Sequence, residues 1–213
     1  MTRRTASAFT LIEIIVVTGI LVTMILFLLT ATATSQKLTR DSAERQAARS
    51  VAYAKLAELR ATLRSSPIDG SDPTTKDDQF TKVLLLDTRN GTTVPSDYTG
   101  LTIGTTAYGA ESVDIFNNEA GTLTKGYLYV ATFVDDLTTP TKCDEDAANT
   151  EFGTRGIATT GTIDLDGDLT YNNTGVDIAD LQVLPVLIRL EWKPGTWQPG
   201  DPVSYVEVGG LLY

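Results

Sequence analysis

Apolar residues are spread unevenly along this chain. Residues 8–33 read AFTLIEIIVVTGILVTMILFLLTATA, with one formal charge, Glu13. From Ile14 to Ala33 there are about 20 uncharged residues, enough to span a hydrocarbon core of roughly 30 Å as a helix. Beyond this run the pattern turns amphipathic. Ala48, Ala52, Leu56, Leu59 and Leu63 follow one another at spacings of four, four, three and four, which lay them on one helical face. No Pro or Gly interrupts residues 35–66, and Pro67 then stops the pattern, because the residue before a proline is steered away from helical torsions. The pattern predicts one helix from about Phe9 to Arg64, with residues 9–34 matched to lipid and residues 35–66 continuing as an amphipathic stretch.

The remaining chain, residues 67–213, reads as an antiparallel β domain outside the membrane. Residues 68–79 are rich in Asp, Ser, Pro and Thr and predict a loop. KVLLLDT (82–88) reads as a strand, with Asn90-Gly91 after it as a hairpin turn. Residues 95–124 are rich in turn formers. GYLYVATFV (126–134) reads as a buried strand. An acidic, proline-bearing loop follows to about Arg155, and a second hairpin is expected at Asp166-Gly167. PVLIRLEW (185–192) alternates Val186, Ile188, Leu190 and Trp192 with Leu187, Arg189 and Glu191, the mark of a half-buried strand. It pairs with VSYVEVGGLL (203–212) as a terminal hairpin. No crossover long enough for parallel pairing separates these strands, so the fold class is α+β, a long N-terminal helix packed on an antiparallel sheet.

Composition narrows the chemistry. The chain carries 17 Lys and Arg against 27 Asp and Glu, a net charge of -10, and its arginines between residues 40 and 64 read as scattered. Phosphate contact needs a clustered basic face, so no nucleic-acid partner is evident. Histidine is absent, which removes Ser-His-Asp and Cys-His catalysis and imidazole metal sites. Cys143 is the sole cysteine, so neither an intrachain disulfide nor a thiolate zinc site can form, and it reads as a free thiol in an acidic loop. No catalytic residue is expected.

Arg3 and Arg4 precede the apolar run with no acid among the first eight residues, the charge pattern of a cytoplasmic flank. The string Ala8-Phe9-Thr10-Leu11-Ile12-Glu13 resembles the prepilin-type signal of type IV pilins and type II secretion pseudopilins. The resemblance implies a leader, residues 1–8, cut by a prepilin peptidase between Ala8 and Phe9, with Phe9 then carrying a methylated amine. Ala8 stands where the family usually has Gly. The resemblance further implies other pilin or pseudopilin subunits, an inner-membrane assembly platform and membrane lipid as partners, and a pilin-like fold. AYAKLAELRATLRSSP resembles the helix continuation of minor pilins and minor pseudopilins, which favours a minor subunit.

Physical chemistry gives Glu13 a role within that resemblance. A charge at membrane depth costs about 2.5–3.5 kcal/mol on insertion scales and ordinarily finds a partner. Cleavage after Ala8 would create a positive amine one helical turn away. In a filament, Glu13 of one subunit would pair with that amine on a neighbour, which is far less costly than burying either charge alone. A single-pass anchored binding or adhesion domain that does not polymerise is the rival reading, with Glu13 reaching back to the headgroups.

Residues 163–173, IDLDGDLTYNN, place Asp164, Asp166 and Asp168 at alternate positions, as calcium loops do. The glycine falls at position 4 of that loop instead of 6, and position 12 is Gly175 instead of Glu. A metal-free turn is therefore the stronger expectation and calcium the lesser one, and no other cofactor is expected. The pairs Asp135-Asp136 and Asp144-Glu145-Asp146 read as solvated loop charges.

Overall fold

A computed structural model describes residues 10–64, 80, 83, 86–90, 94–117, 123–135, 141–159, 161–195 and 197–213. Ala8, Phe9, the expected loop 68–79 and Gly91 lie outside the described residues. The chain divides into two compact units, Met1–Ala43 and Glu44–Tyr213. One helix, α1 (Leu11–Arg64), carries residues of both, and it ends where the sequence pattern places its end.

In the second unit, Ala48, Ala52, Leu56, Leu59 and Leu63 are all buried, so the stripe read from spacing is the core face of the helix. The central sheet has four antiparallel strands in the order β3-β4-β7-β8: β3 (Glu111–Asn117), β4 (Leu123–Ala131), β7 (Leu184–Trp192) and β8 (Ser204–Leu212). Two small antiparallel pairs flank it, β1 (Leu101–Ile103) with β2 (Thr106–Tyr108), and β5 (Lys142–Cys143) with β6 (Val176–Asp177). A second helix, α2, runs from Glu145 to Thr154. This is an α+β arrangement of a long helix with antiparallel sheets.

The expected terminal hairpin forms, with Val186 opposite Gly210 and Glu191 opposite Tyr205. Its first strand is not half-buried, however. Leu187 and Glu191 are as fully buried as Val186 and Ile188. Both faces of the sheet are covered, and successive glycines of β8 show by what. A Cβ on Gly210 would meet Leu56 of α1 at 2.7 Å, and one on Gly209 would meet Ile157, just past α2, at 2.4 Å. Adjacent strand residues point to opposite faces, so α1 packs on one face and the α2 region on the other.

Four further expectations are corrected. Residues 82–88 do not form a strand where they are described: Val83 is helical, Leu86 sits in a turn, and a short 3-10 helix runs from Thr88 to Asn90. The apolar run is diverted because the Asp87 carboxylate, one residue before that helix, takes up backbone groups itself. Its Oδ2 accepts from the Thr132 amide at 3.0 Å just past β4, and its Oδ1 accepts from the Arg89 amide at 3.0 Å. Residues 95–124 hold three strands, the first two joined by Gly104-Thr105 with Gly104 at φ +58°, the conformation a two-residue hairpin of the Gly-X kind requires. The strand expected at 126–134 starts and ends three residues earlier. The expected hairpin at Asp166-Gly167 is an irregular loop with no strand on either side.

The acidic segment is the largest departure. Asp144 does not hang in solvent: its Oδ1 accepts from the Ala147 amide at 2.9 Å and caps α2. Glu145 is fully buried, as is Asn149 on the next turn. Cys143 is free, as expected, but is buried in β5, with its Sγ 3.7 Å from the Thr132 carbonyl.

Candidate assembly site

The first unit is built from the apolar end of α1. By length and composition this helix can cross a membrane, and none of its most apolar window is buried within the chain. Its large side chains stand exposed, from Ile25 at 48% to Leu11 at 79%. Apart from Glu13, the polar residues among them are threonines, and their hydroxyls donate back into the helix. Thr18 Oγ1 donates to the Ile14 carbonyl at 2.7 Å, Thr23 to Ile20 at 2.8 Å, and Thr34 to Thr30 at 2.8 Å. Such back-bonding lets a hydroxyl sit in an apolar surrounding without an outside partner.

Glu13 lies in the first turn, where its Oε2 accepts from the Thr10 amide and the Thr10 hydroxyl, both at 2.9 Å. The Glu13 amide in turn donates to Thr10 Oγ1 at 3.4 Å. Thr10-Leu11-Ile12-Glu13 is thus a capping box, a Thr and a Glu three apart that satisfy each other's otherwise orphaned amides at a helix start. Thr10 is the residue that sequence reasoning passed over, although the T-x-x-E spacing before an apolar run was there to be read. Ala8 and Phe9, the expected processing positions, lie outside the described residues.

The calcium candidates are only partly brought together. One carboxylate oxygen each from Asp164, Asp166 and the unanticipated Glu145 lie within 4.8 Å of one another, and Asp168 is not of that group. These acids also hold the loop's own backbone. Glu145 Oε1 accepts from the Leu165 amide at 2.7 Å and its Oε2 from the Asn173 amide at 3.1 Å. Asp164 accepts from the Gly167 and Leu169 amides at 2.7 and 3.0 Å, and Asp168 from the Thr170 amide at 2.6 Å. Burial raises the Glu145 carboxyl above the ordinary range against the pull of its two amide bonds, with Asp166 and Asp164 adding to the rise. Burial likewise raises Asp166, whereas the Thr170 amide lowers Asp168. Three clustered carboxylates are a donor set a hard divalent cation would fit. Their amide bonds also give each of them a role without one.

On the α2 side of the sheet, the fully buried Glu191 anchors a second polar group. It accepts from the Gly100 amide at 3.1 Å, the Tyr129 hydroxyl at 3.1 Å, the Thr99 hydroxyl and Arg189 Nε at 2.8 Å. Arg189 continues to Glu207 at 3.1 Å, and Glu207 to Arg155 at 3.2 Å. The network explains how an Arg and a Glu sit on a covered face: each charge is paired and hydrogen-bonded. Trp192 is in the core, and Trp197 lies over the loop that joins β7 to β8, its Nε1 donating to the Asp201 carbonyl at 2.8 Å. No family model matches the chain, and neither a curated protein nor a solved structure matches it.

Proposed function

We propose that this chain is a non-enzymatic structural subunit, of the minor type, of a type IV pilus or a type II secretion pseudopilus. In this reading it is inserted in the bacterial inner membrane through α1, with its β domain outside the cytoplasm. A prepilin peptidase trims it after Ala8, and the assembly platform passes it into the filament, where other pilin or pseudopilin subunits become its partners. One observation carries the reading: a single carboxylate, Glu13, in the first turn of α1, at the start of an exposed and otherwise uncharged apolar run, five residues after Ala8 within the string AFTLIE. Intact mass of the membrane-extracted protein tests it. Loss of eight residues and gain of one methyl group is the expected result, and an intact Met1 end overturns it.

The capping box favours a second reading, an anchored domain that does not polymerise, because it gives Glu13 an intramolecular partner. The two readings separate at filament incorporation of the wild-type chain, and Glu13→Gln then tests the pairing of Glu13 within the first. Glutamine serves a capping box as glutamate does, but it cannot pair as an anion with a neighbour's amine. Membrane insertion with loss of filament incorporation supports the subunit reading; normal incorporation of Glu13→Gln reduces Glu13 to a helix cap.

A further inference from the structure

The second unit is strongly acidic, with 25 Asp and Glu against 13 Lys and Arg over residues 44–213. Its cations are nevertheless not scattered. Arg45, Arg49 and Arg60 of α1, with Tyr53 between them, are all exposed. Each follows a buried neighbour (Glu44, Ala48, Leu59 and, for Tyr53, Ala52) by one residue. At 100° per residue they line a single flank of the helix, beside its core stripe. None of the three arginines belongs to an ion pair among the described residues, whereas Arg155, Arg189 and Lys193 each do. On the opposite flank Lys55 is held by Glu58 and by Glu111 of β3. The arginine flank lies on the β8 side, where Arg49 lines an open groove with Tyr205, Val206 and Glu207 of β8 and with Glu151 and Thr154 at the end of α2. β8 is an edge strand.

A group of acids outside any ion pair among the described residues lies elsewhere. Asp146 on α2, Asp168 in the loop beyond it, and Asp177 and Asp180 at β6 and the turn after it are all exposed. The loop is tied to α2 through Glu145 and through Asn149, whose Oδ1 accepts from the Ile163 amide at 2.9 Å. α2 covers the sheet face opposite α1, so the acidic patch, at the start of α2 and in the loop beyond it, is a different surface from the arginine flank, whose Arg49 meets only the far end of α2 across the groove.

We propose that the arginine flank of α1 docks onto the α2-side acidic surface of a second copy of this chain. A contact between two different patches is heterologous, and repetition of it about a screw axis gives an open row of subunits instead of a closed dimer. Arg and Tyr are the side chains that most often dominate such interfaces, and complementary charge fixes register and excludes wrong neighbours. The proposal rests on the reading of the chain as an assembly subunit and departs from its minor-type part: copies that stand side by side recur along the filament, which a subunit placed once per filament does not do.

The test uses two differently tagged full-length copies in one membrane, one carrying Arg49→Cys and the other Asp168→Cys, under mild oxidation. Native Cys143 is buried, and each single variant alone serves as the control. A mixed 49–168 disulfide is expected, in excess of 49–49 and 168–168 products. It should fall about tenfold when Arg45→Glu and Arg60→Glu are added to the first copy, and return when Asp146→Lys and Asp180→Lys are added to the second. No mixed product, or an equal yield of the symmetric ones, overturns the proposal. Retention of duplex DNA that the two Arg→Glu changes abolish, without a mixed product, also overturns it and assigns the flank to nucleic acid. Intact mass from the same membranes separates the two levels: a processed N-terminus without the cross-link sinks only this contact, and the cross-link on unprocessed chains sinks only the pilus reading.

Discussion

Glu145 is a carboxylate placed where water cannot reach it, held by two amides and faced by Asp164 and Asp166. Its folded state binds a proton more readily than its unfolded state does. Stability therefore falls as pH rises from the ordinary carboxylate range through the raised value, as the buried group ionises. Glu145→Gln removes the titration. The melting temperature of the native protein should thus gain on that of Glu145→Gln as pH is lowered from 7 to about 5, and a constant gap would remove the argument. The glycines of β8 make a steric prediction at the same scale. Gly209→Ala pushes a methyl group into Ile157 and Gly210→Ala pushes one into Leu56. Each should lower unfolding free energy by about 1–3 kcal/mol in a denaturant titration, the usual range for overpacking. Gly210→Ala with Leu56→Ala should recover part of that loss, because it frees the volume.

Among the elements, α2 depends most on single polar contacts. Asp144→Ala removes its cap and should cost about 1 kcal/mol. Asn149→Leu should cost more, because it strands the Ile163 amide and the carbonyls of Ile163 and Tyr171, which the side-chain amide now serves. Circular dichroism during denaturation checks both. This helix also shows why part of the fold was not legible. EDAANTEFGT has little apolar periodicity, and Asp, Asn, Thr and Gly are common loop formers. The readable signal was the cap, an Asp followed by two first-turn acids, a pattern easily taken for solvated charge. Helix α1 was legible because it announces itself twice, by an unbroken apolar run and then by a 3.6-residue rhythm. Strands of three residues such as β1 and β2 are too short for any period to register, and only Gly104 hinted at their turn. In β7 the alternation was read correctly, but alternation cannot say whether the second face is wet. The partners that make its Arg189 and Glu191 compatible with burial come from residues 99, 129 and 207, far away in sequence. The same distance hid the join of Glu145 to Asp164 and Asp166.

For the molecule as a whole, the acidic loop and α2 hold each other through amides that need no ion. Thermal unfolding of the detergent-solubilised chain should therefore be unmoved by a calcium chelator, and a fall in melting temperature that added calcium reverses would instead make the cluster a metal site. The two units also fail differently. Changes at Glu13 should leave domain stability untouched, and changes at Gly209 or Asp144 should leave membrane insertion untouched. Finally, the solitary thiol in β5 turns the fold into its own reporter. Burial, with Asp144 and Glu145 nearby, raises Cys143 far above the range in which a thiolate forms, so an alkylating reagent meets it only when β5 and α2 part. The alkylation rate of the wild-type chain is then a clock for local opening, and chains that never closed around Cys143 mark themselves as disulfide-linked dimers on a non-reducing gel.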